Sequence, residues 1–174
     1  GRGRGLKATG QRARPGSGNE GGGGAQGAAS LKARALRLLT RREHSRTELA
    51  RKLATHAETA EQVEALLDEL VAARLLSNER FADSLVHRRA ERYGTATIRH
   101  ELRMHGLDET LVRTHVAELE RTELERATAV WERRFGARPA SLAERARQTR
   151  FLLARGFSAE TVRRVLGAGS HDEA

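Results

Sequence analysis

Between positions 88 and 103 five guanidinium groups, Arg88, Arg89, Arg92, Arg99 and Arg103, stand against two carboxylates, Glu91 and Glu101. A guanidinium is always charged and presents a planar fork of donors, so this composition suits paired bonds to phosphates or to a partner's carboxylates. On a helix, Arg88 and Arg92 lie one turn apart, as do Arg99 and Arg103, while Ile98 and Leu102 mark a buried stripe about 100° away. Two arginine rows would then face outward beside a packed seam. A later stretch repeats the balance, with Arg145, Arg147, Arg150, Arg155, Arg163 and Arg164 against Glu160 alone. The candidate contacts are therefore Arg88, Arg89, Arg92, Arg99, Arg103, Arg147, Arg150 and Arg155. For any one of them a solvated helix surface is an equal reading, whereas the cluster as a whole favours contact with a partner. Tyr93, beside a glycine, reads as a partly buried packing residue before a base-stacking platform.

Other chemistry is poorly provided for. The 174 residues include no cysteine, which excludes disulfides and thiolate zinc sites. The seven histidines form no HExxH helix, and Glu61, Glu64 and Asp68 share a polar helix face opposite Leu66 and Leu70. There is no GxxxxGK[ST] loop, and Gly21–Gly24 lacks a strand and helix around it. The expectation is a protein that is not an enzyme and carries neither cofactor nor metal. A formal charge of +9 points to polyanionic partners, nucleic acid ahead of a membrane surface. Only Lys7, Lys32 and Lys52 among the 32 basic residues are lysine, a bias typical of GC-rich genomes, so part of the arginine content is compositional. No apolar run approaches the roughly 18 residues of a bilayer span, and the cytoplasm is the simplest location.

The elements that must position these side chains are helices. Val63, Leu66, Leu67, Leu70 and Val71 follow the spacing of one buried helical face. Ser45–Glu48, Thr59–Gln62 and Ser141–Glu144 fit the capping box, and Gly94, Gly106, Gly136 and Gly156 fall where helices would end in left-handed turns. About nine short helices result, with no strand pattern. Residues 1–30 hold 11 of the 17 glycines and five basic groups against Glu20, which predicts a disordered basic arm; residues 168–174 predict a flexible tail. A shift of 49 residues superimposes Leu49 on Ile98, Leu53 on Leu102, Val63 on Val112 and Leu70 on Leu119, and a shift of 50 superimposes Leu102 on Leu152 and Gly106 on Gly156. The chain thus divides into three three-helix repeats, 31–75, 77–119 and 121–167, too small to be stable singly and expected to form an elongated, curved all-α array.

Helix, tight turn, helix is also the layout of a DNA-reading helix-turn-helix, so a transcriptional regulator is an alternative. A more specific resemblance is carried by Leu76-Ser-Asn-Glu-Arg-Phe-Ala82, Arg88, Tyr93-Gly94, Ile98-Arg99, Glu101-Leu102 and Gly106-Leu107, with Arg150-Phe-Leu-Leu-Ala-Arg-Gly-Phe157 in the third repeat and Arg42-Glu-His-Ser-Arg-Thr-Glu-Leu-Ala-Arg-Lys-Leu53 in the first. Over about residues 31–167 the chain resembles the bacterial RecX regulatory proteins. Asn78 stands where that family more often has an acid, and His105 where a lysine is common. The resemblance implies three tandem three-helix repeats and a monomer that binds the RecA recombinase filament in its groove. It also implies restraint of strand exchange, ATP turnover and the coprotease activity behind the SOS response, together with weak non-specific DNA binding.

Overall fold

The computed structural model describes residues 22–167, and every regular element among them is an α-helix. The helices are α1 Gly22–Arg41, α2 Arg46–Ala54, α3 Ala60–Ala72, α4 Asn78–Ala90, α5 Thr95–Met104, α6 Glu109–Arg134, α7 Leu142–Ala154 and α8 Ala159–Leu166. They form three three-helix repeats: α1–α3, then α4, α5 and the first half of α6, then the second half of α6 with α7 and α8. No helix of the first repeat packs substantially against one of the third, so the repeats string along the chain and do not close into one bundle.

Local chemistry sets the helix starts. Ser45, Thr59 and Ser141 accept the N–H of Glu48, Gln62 and Glu144 at 3.0, 3.2 and 3.2 Å, and Ser77 and Ser158 cap α4 and α8 in the same way. Gln62 and Glu144 reach one residue beyond the cap, to the N–H groups of Glu58 and Ala140 at 3.0 and 2.8 Å. Each repeat then buries its own aliphatic cluster. Leu53, Leu102 and Leu152, matched by the sequence shifts, are each fully buried at the centre of one. Phe81 and Phe157 are core residues, whereas Trp131 and Phe151 are only partly buried.

Three expectations change. Eight helices replace nine, because the boundary placed between 119 and 121 lies inside α6, where no glycine or proline interrupts the run from Glu109 to Arg134. The second and third repeats therefore share a rigid helix. The arm expected over residues 1–30 is helical from Gly22: a helix anchored by the buried Leu31 and Ala35 extends back through the good helix formers Ala25, Ala28 and Ala29, and across glycines that each cost about 1 kcal/mol relative to alanine. The rest of that arm and the 168–174 tail lie outside the described residues. Gly106, Gly136 and Gly156 adopt left-handed turns as expected, but Gly94 does not: at φ −76° it is the N-cap of α5. The left-handed turn ending α3 is instead taken by Arg74, at φ 59°.

A polar knot around the buried His44 closes the α1–α2 turn. Both oxygens of Glu48 accept from Arg42, one at 3.1 Å, and Lys52 approaches at 3.3 Å. His44, 2% exposed, is bonded through Nδ1 to the Arg42 carbonyl at 3.0 Å and through Nε2 to Lys52 Nζ at 3.2 Å. Burial raises the Glu48 carboxyl, but the Arg42 bonds and charge outweigh it and hold the group at about 2. Burial pushes the His44 imidazole down. Both groups bind protons more weakly folded than unfolded. Their contribution is complete above the unfolded values of 6.5 and 4.5 and is lost as pH falls, His44 first and Glu48 toward pH 2. Denaturation followed by circular dichroism should show stability declining over that window, and Glu48→Gln should remove on the order of 2 kcal/mol of the loss below pH 5.

Candidate functional site

The second and third repeats meet along a seam of backbone. The Gly94 and Ala96 N–H groups donate to the carbonyls of Arg155 and Gly156 at 2.7 and 3.2 Å, and the Thr97 hydroxyl donates to the Arg155 carbonyl at 3.1 Å. Glycine is needed at 94 for this approach, since a Cβ there would lie closer than 3.0 Å to Gly156 and the Phe157 nitrogen. Beneath the seam lies Glu123, only 7% exposed. Its carboxylate accepts from the Thr95 N–H at the start of α5 at 3.0 Å, and from the Ser158 N–H and Thr161 hydroxyl at the start of α8 at 3.4 and 2.8 Å. Burial raises its pKa, but these bonds outweigh burial and keep the group below the usual carboxylate range. One turn on, Arg126 donates to the carbonyls of Ala90, Tyr93 and Leu119 at 3.0, 2.6 and 3.1 Å, clipping the end of α4 to α6.

Over one mouth of the seam the guanidinium groups gather. Arg92 from the α4–α5 turn, Arg133 and Arg134 from the end of α6, and Arg155 from the α7–α8 turn line a cavity of about 190 Å³ with Val130 and Phe151. Arg89 and Arg155 lie over the Tyr93 ring at 5.4 and 5.2 Å, Arg134 and Arg155 over Phe151 at 5.6 and 5.1 Å, and Arg134 and Arg147 over Phe135 at 5.6 and 5.8 Å. Arg133 donates to the Glu91 carbonyl at 2.5 Å. Among the described residues no carboxylate lies within ion-pair distance of Arg92, Arg133, Arg134, Arg147 or Arg155. The result is a cationic patch set on aromatic faces, suited to phosphate or carboxylate oxygens.

The candidate arginines thus divide. Arg89, Arg92, Arg147 and Arg155 belong to the patch, Arg89 while also paired with Glu101 at 3.1 Å. Arg99 and Arg103, expected as an outward-facing row, are engaged by Glu120 at 3.4 Å and Glu109 at 2.7 Å. Arg99 lines a different, polar cleft of about 370 Å³ that includes Glu120, Glu160 and Arg164. Arg88 is exposed, with a long 3.4 Å bond to the Ser84 carbonyl, and Arg150 is exposed on α7. Tyr93 is partly buried, as expected. Arg133, Arg134, Arg126 and Glu123 were not among the candidates. Glu123 carried a signal, an acid in the buried series Leu119, Glu123, Ala127, Val130 at helical spacing. Arg133-Arg134, followed by Phe135 at the end of α6, was the other. Among the described residues no cluster of His, Asp or Glu is placed to hold a metal, and no helix is long and apolar enough to cross a membrane.

Fold and patch together define an all-α tandem-repeat protein with an arginine-lined inter-repeat seam. Residues 32–70, 77–115 and 121–166 match the family models for the first, second and third three-helix domains of RecX. The regulatory protein RecX of Ralstonia nicotianae is 58% identical over 137 residues, covering 79% of this chain and 86% of that one; that of Leptothrix cholodnii is 52% identical over 143 residues, covering 82% and 91%. This chain belongs to the RecX family of regulatory proteins. The fold is shared with the crystal structure of RecX from Lactobacillus salivarius, at a TM-score of 0.69 and 17% identity over 82% of this chain and 96% of that one. It is shared also with a second crystal structure of a regulatory protein RecX, at 0.68 and 22% over 81% and 73%.

The seam leaves no space at Gly94, which gives a direct check on its packing. Gly94→Ala should cost at least about 2 kcal/mol in chemical denaturation, because the obstructing atoms are backbone and cannot move aside. A change below about 0.5 kcal/mol would mean the two turns are not in contact.

Proposed function

We propose that this protein binds along the RecA–DNA filament and restrains strand exchange, ATP turnover and coprotease activity, with the patch over the second seam as its principal contact. The observation that carries this reading is the convergence of Arg92, Arg133, Arg134 and Arg155 on one cavity with no carboxylate within ion-pair distance among the described residues. Ion-paired arginines must exchange one carboxylate for another on binding, whereas these have attraction still to satisfy. Membership in a family of regulatory proteins supports a regulatory role, and tandem repeats offer length to lie across neighbouring protomers. On this reading the protein contributes no reacting group. It alters turnover by bridging protomers, works as a monomer in the cytoplasm, and touches DNA weakly and without sequence preference.

The test is RecA-driven ATP hydrolysis on single-stranded DNA. Substoichiometric protein should lower the rate, and Arg133→Glu with Arg134→Glu should raise the concentration needed by at least about tenfold, or about 1.4 kcal/mol, with helix content unchanged. Arg99→Glu with Arg103→Glu should have the smaller effect, since those arginines already hold glutamates. An unchanged rate with the parent protein, or a preferred duplex site that survives competition by random DNA, would reject this reading for the helix-turn-helix one.

A further inference from the structure

The arginines of the patch come from two repeats, so the patch exists only if those repeats hold one orientation. We propose that Glu123 is the residue that fixes this orientation, a positioning residue that keeps Arg92 of the second repeat against Arg133, Arg134 and Arg155 of the third. This inference rests in part on the filament reading of the patch.

The two junctions between repeats show why. At both, the first helix of the later repeat offers a side-chain acceptor to the first N–H of the earlier repeat's second helix. At the first junction Asn78 of α4 accepts the Arg46 N–H at 2.9 Å. At the second Glu123 of α6 accepts the Thr95 N–H at 3.0 Å. The acceptors differ in reach and in charge. Asn78 is neutral and touches one helix start; apart from it, Arg80 joins the repeats through the Glu43 carboxylate at 2.9 Å and the Arg74 carbonyl at 3.0 Å, and Gly106 packs on Thr47. Glu123 is ionised and buried, and its second oxygen takes the Ser158 N–H and Thr161 hydroxyl of α8. A carboxylate between two helix N-termini sits where both dipoles favour it, and it satisfies donors that open α5 and α8, at the floor of the polar cleft that Arg99 also lines.

Glu123 thus ties three helices, one of them α8, which follows directly on the turn that carries Arg155. Gln in its place keeps one acceptor but turns an amide N–H₂ toward the Ser158 N–H, so it should hold α5 and release α8. Alanine releases both. At the first junction Asn78→Ala would loosen the first repeat, which supplies none of the arginines at the cavity.

The parent chain has no cysteine, so His87→Cys in α4 with Ala146→Cys in α7, both exposed, places one spin label on each side of the seam. In the full chain the label-to-label distance distribution should be narrow. It should broaden at least about twofold in Glu123→Ala, broaden less in Glu123→Gln, and stay narrow in Asn78→Ala. Inhibition of RecA should fall in the same order at a temperature where all variants keep their helix content. A distribution in Glu123→Gln as narrow as the parent's overturns the proposal. So does equal broadening in Asn78→Ala, and so does full inhibition by Glu123→Gln with a broadened distribution. The distances need no RecA, so a parent protein that fails to inhibit would count against the filament reading alone.

Discussion

The structure depends on a carboxylate buried between two helix N-termini. Taking Glu123 out of water costs several kcal/mol, and only near-complete hydrogen bonding repays that. The protein provides it with two backbone N–H groups and a hydroxyl, from two repeats. The same bonds relieve the orphan donors that open α5 and α8. Two costs, a desolvated charge and unsatisfied helix ends, cancel each other only when the second and third repeats sit in one relation. The backbone bonds between the turns at 94–97 and 155–156 and the unbroken α6 then follow from that relation or reinforce it.

A less apparent consequence is electrostatic. Guanidinium groups brought together repel, and three of the four that line the cavity are held by something other than an anion. Here the holds are aromatic faces and a carbonyl: Arg155 lies on Tyr93 and Phe151, Arg134 on Phe135 and Phe151, and Arg133 is bonded to Glu91 O. Side chains already fixed lose less freedom when a partner arrives, so the arrangement favours binding twice, by charge and by preorganisation.

Much of the fold could be read from the sequence because its determinants are local. Caps at Ser45, Thr59 and Ser141 and left-handed glycines at 106, 136 and 156 concern residues within a turn or two of one another, and the repeat that aligns Leu53, Leu102 and Leu152 shows as a recurring spacing. The errors arose where distance along the chain mattered. Gly94 looked like a helix stop and is instead the point where another repeat's backbone passes. The helix break expected near 120 is absent, since nothing in the residues there stops a helix, while the third family domain still begins at 121. The site was legible only in part. Arginine content located Arg92 and Arg155, but which guanidiniums are already paired is decided by partners such as Glu120 for Arg99, set by tertiary packing. Arg133 and Arg134 carry little signal in the sequence, because a charged pair at a helix end is ordinary unless Phe151 of another helix is brought beside it.

The central claim is that the patch over the second seam is the surface this protein turns toward a RecA filament. Electron cryo-microscopy of RecA on single-stranded DNA, decorated with this protein, tests it most directly. The account predicts density for the repeats within the filament groove, with Arg92, Arg133, Arg134 and Arg155 against RecA or the DNA. Repeats bound with that seam facing solvent, or filaments left undecorated, would contradict it.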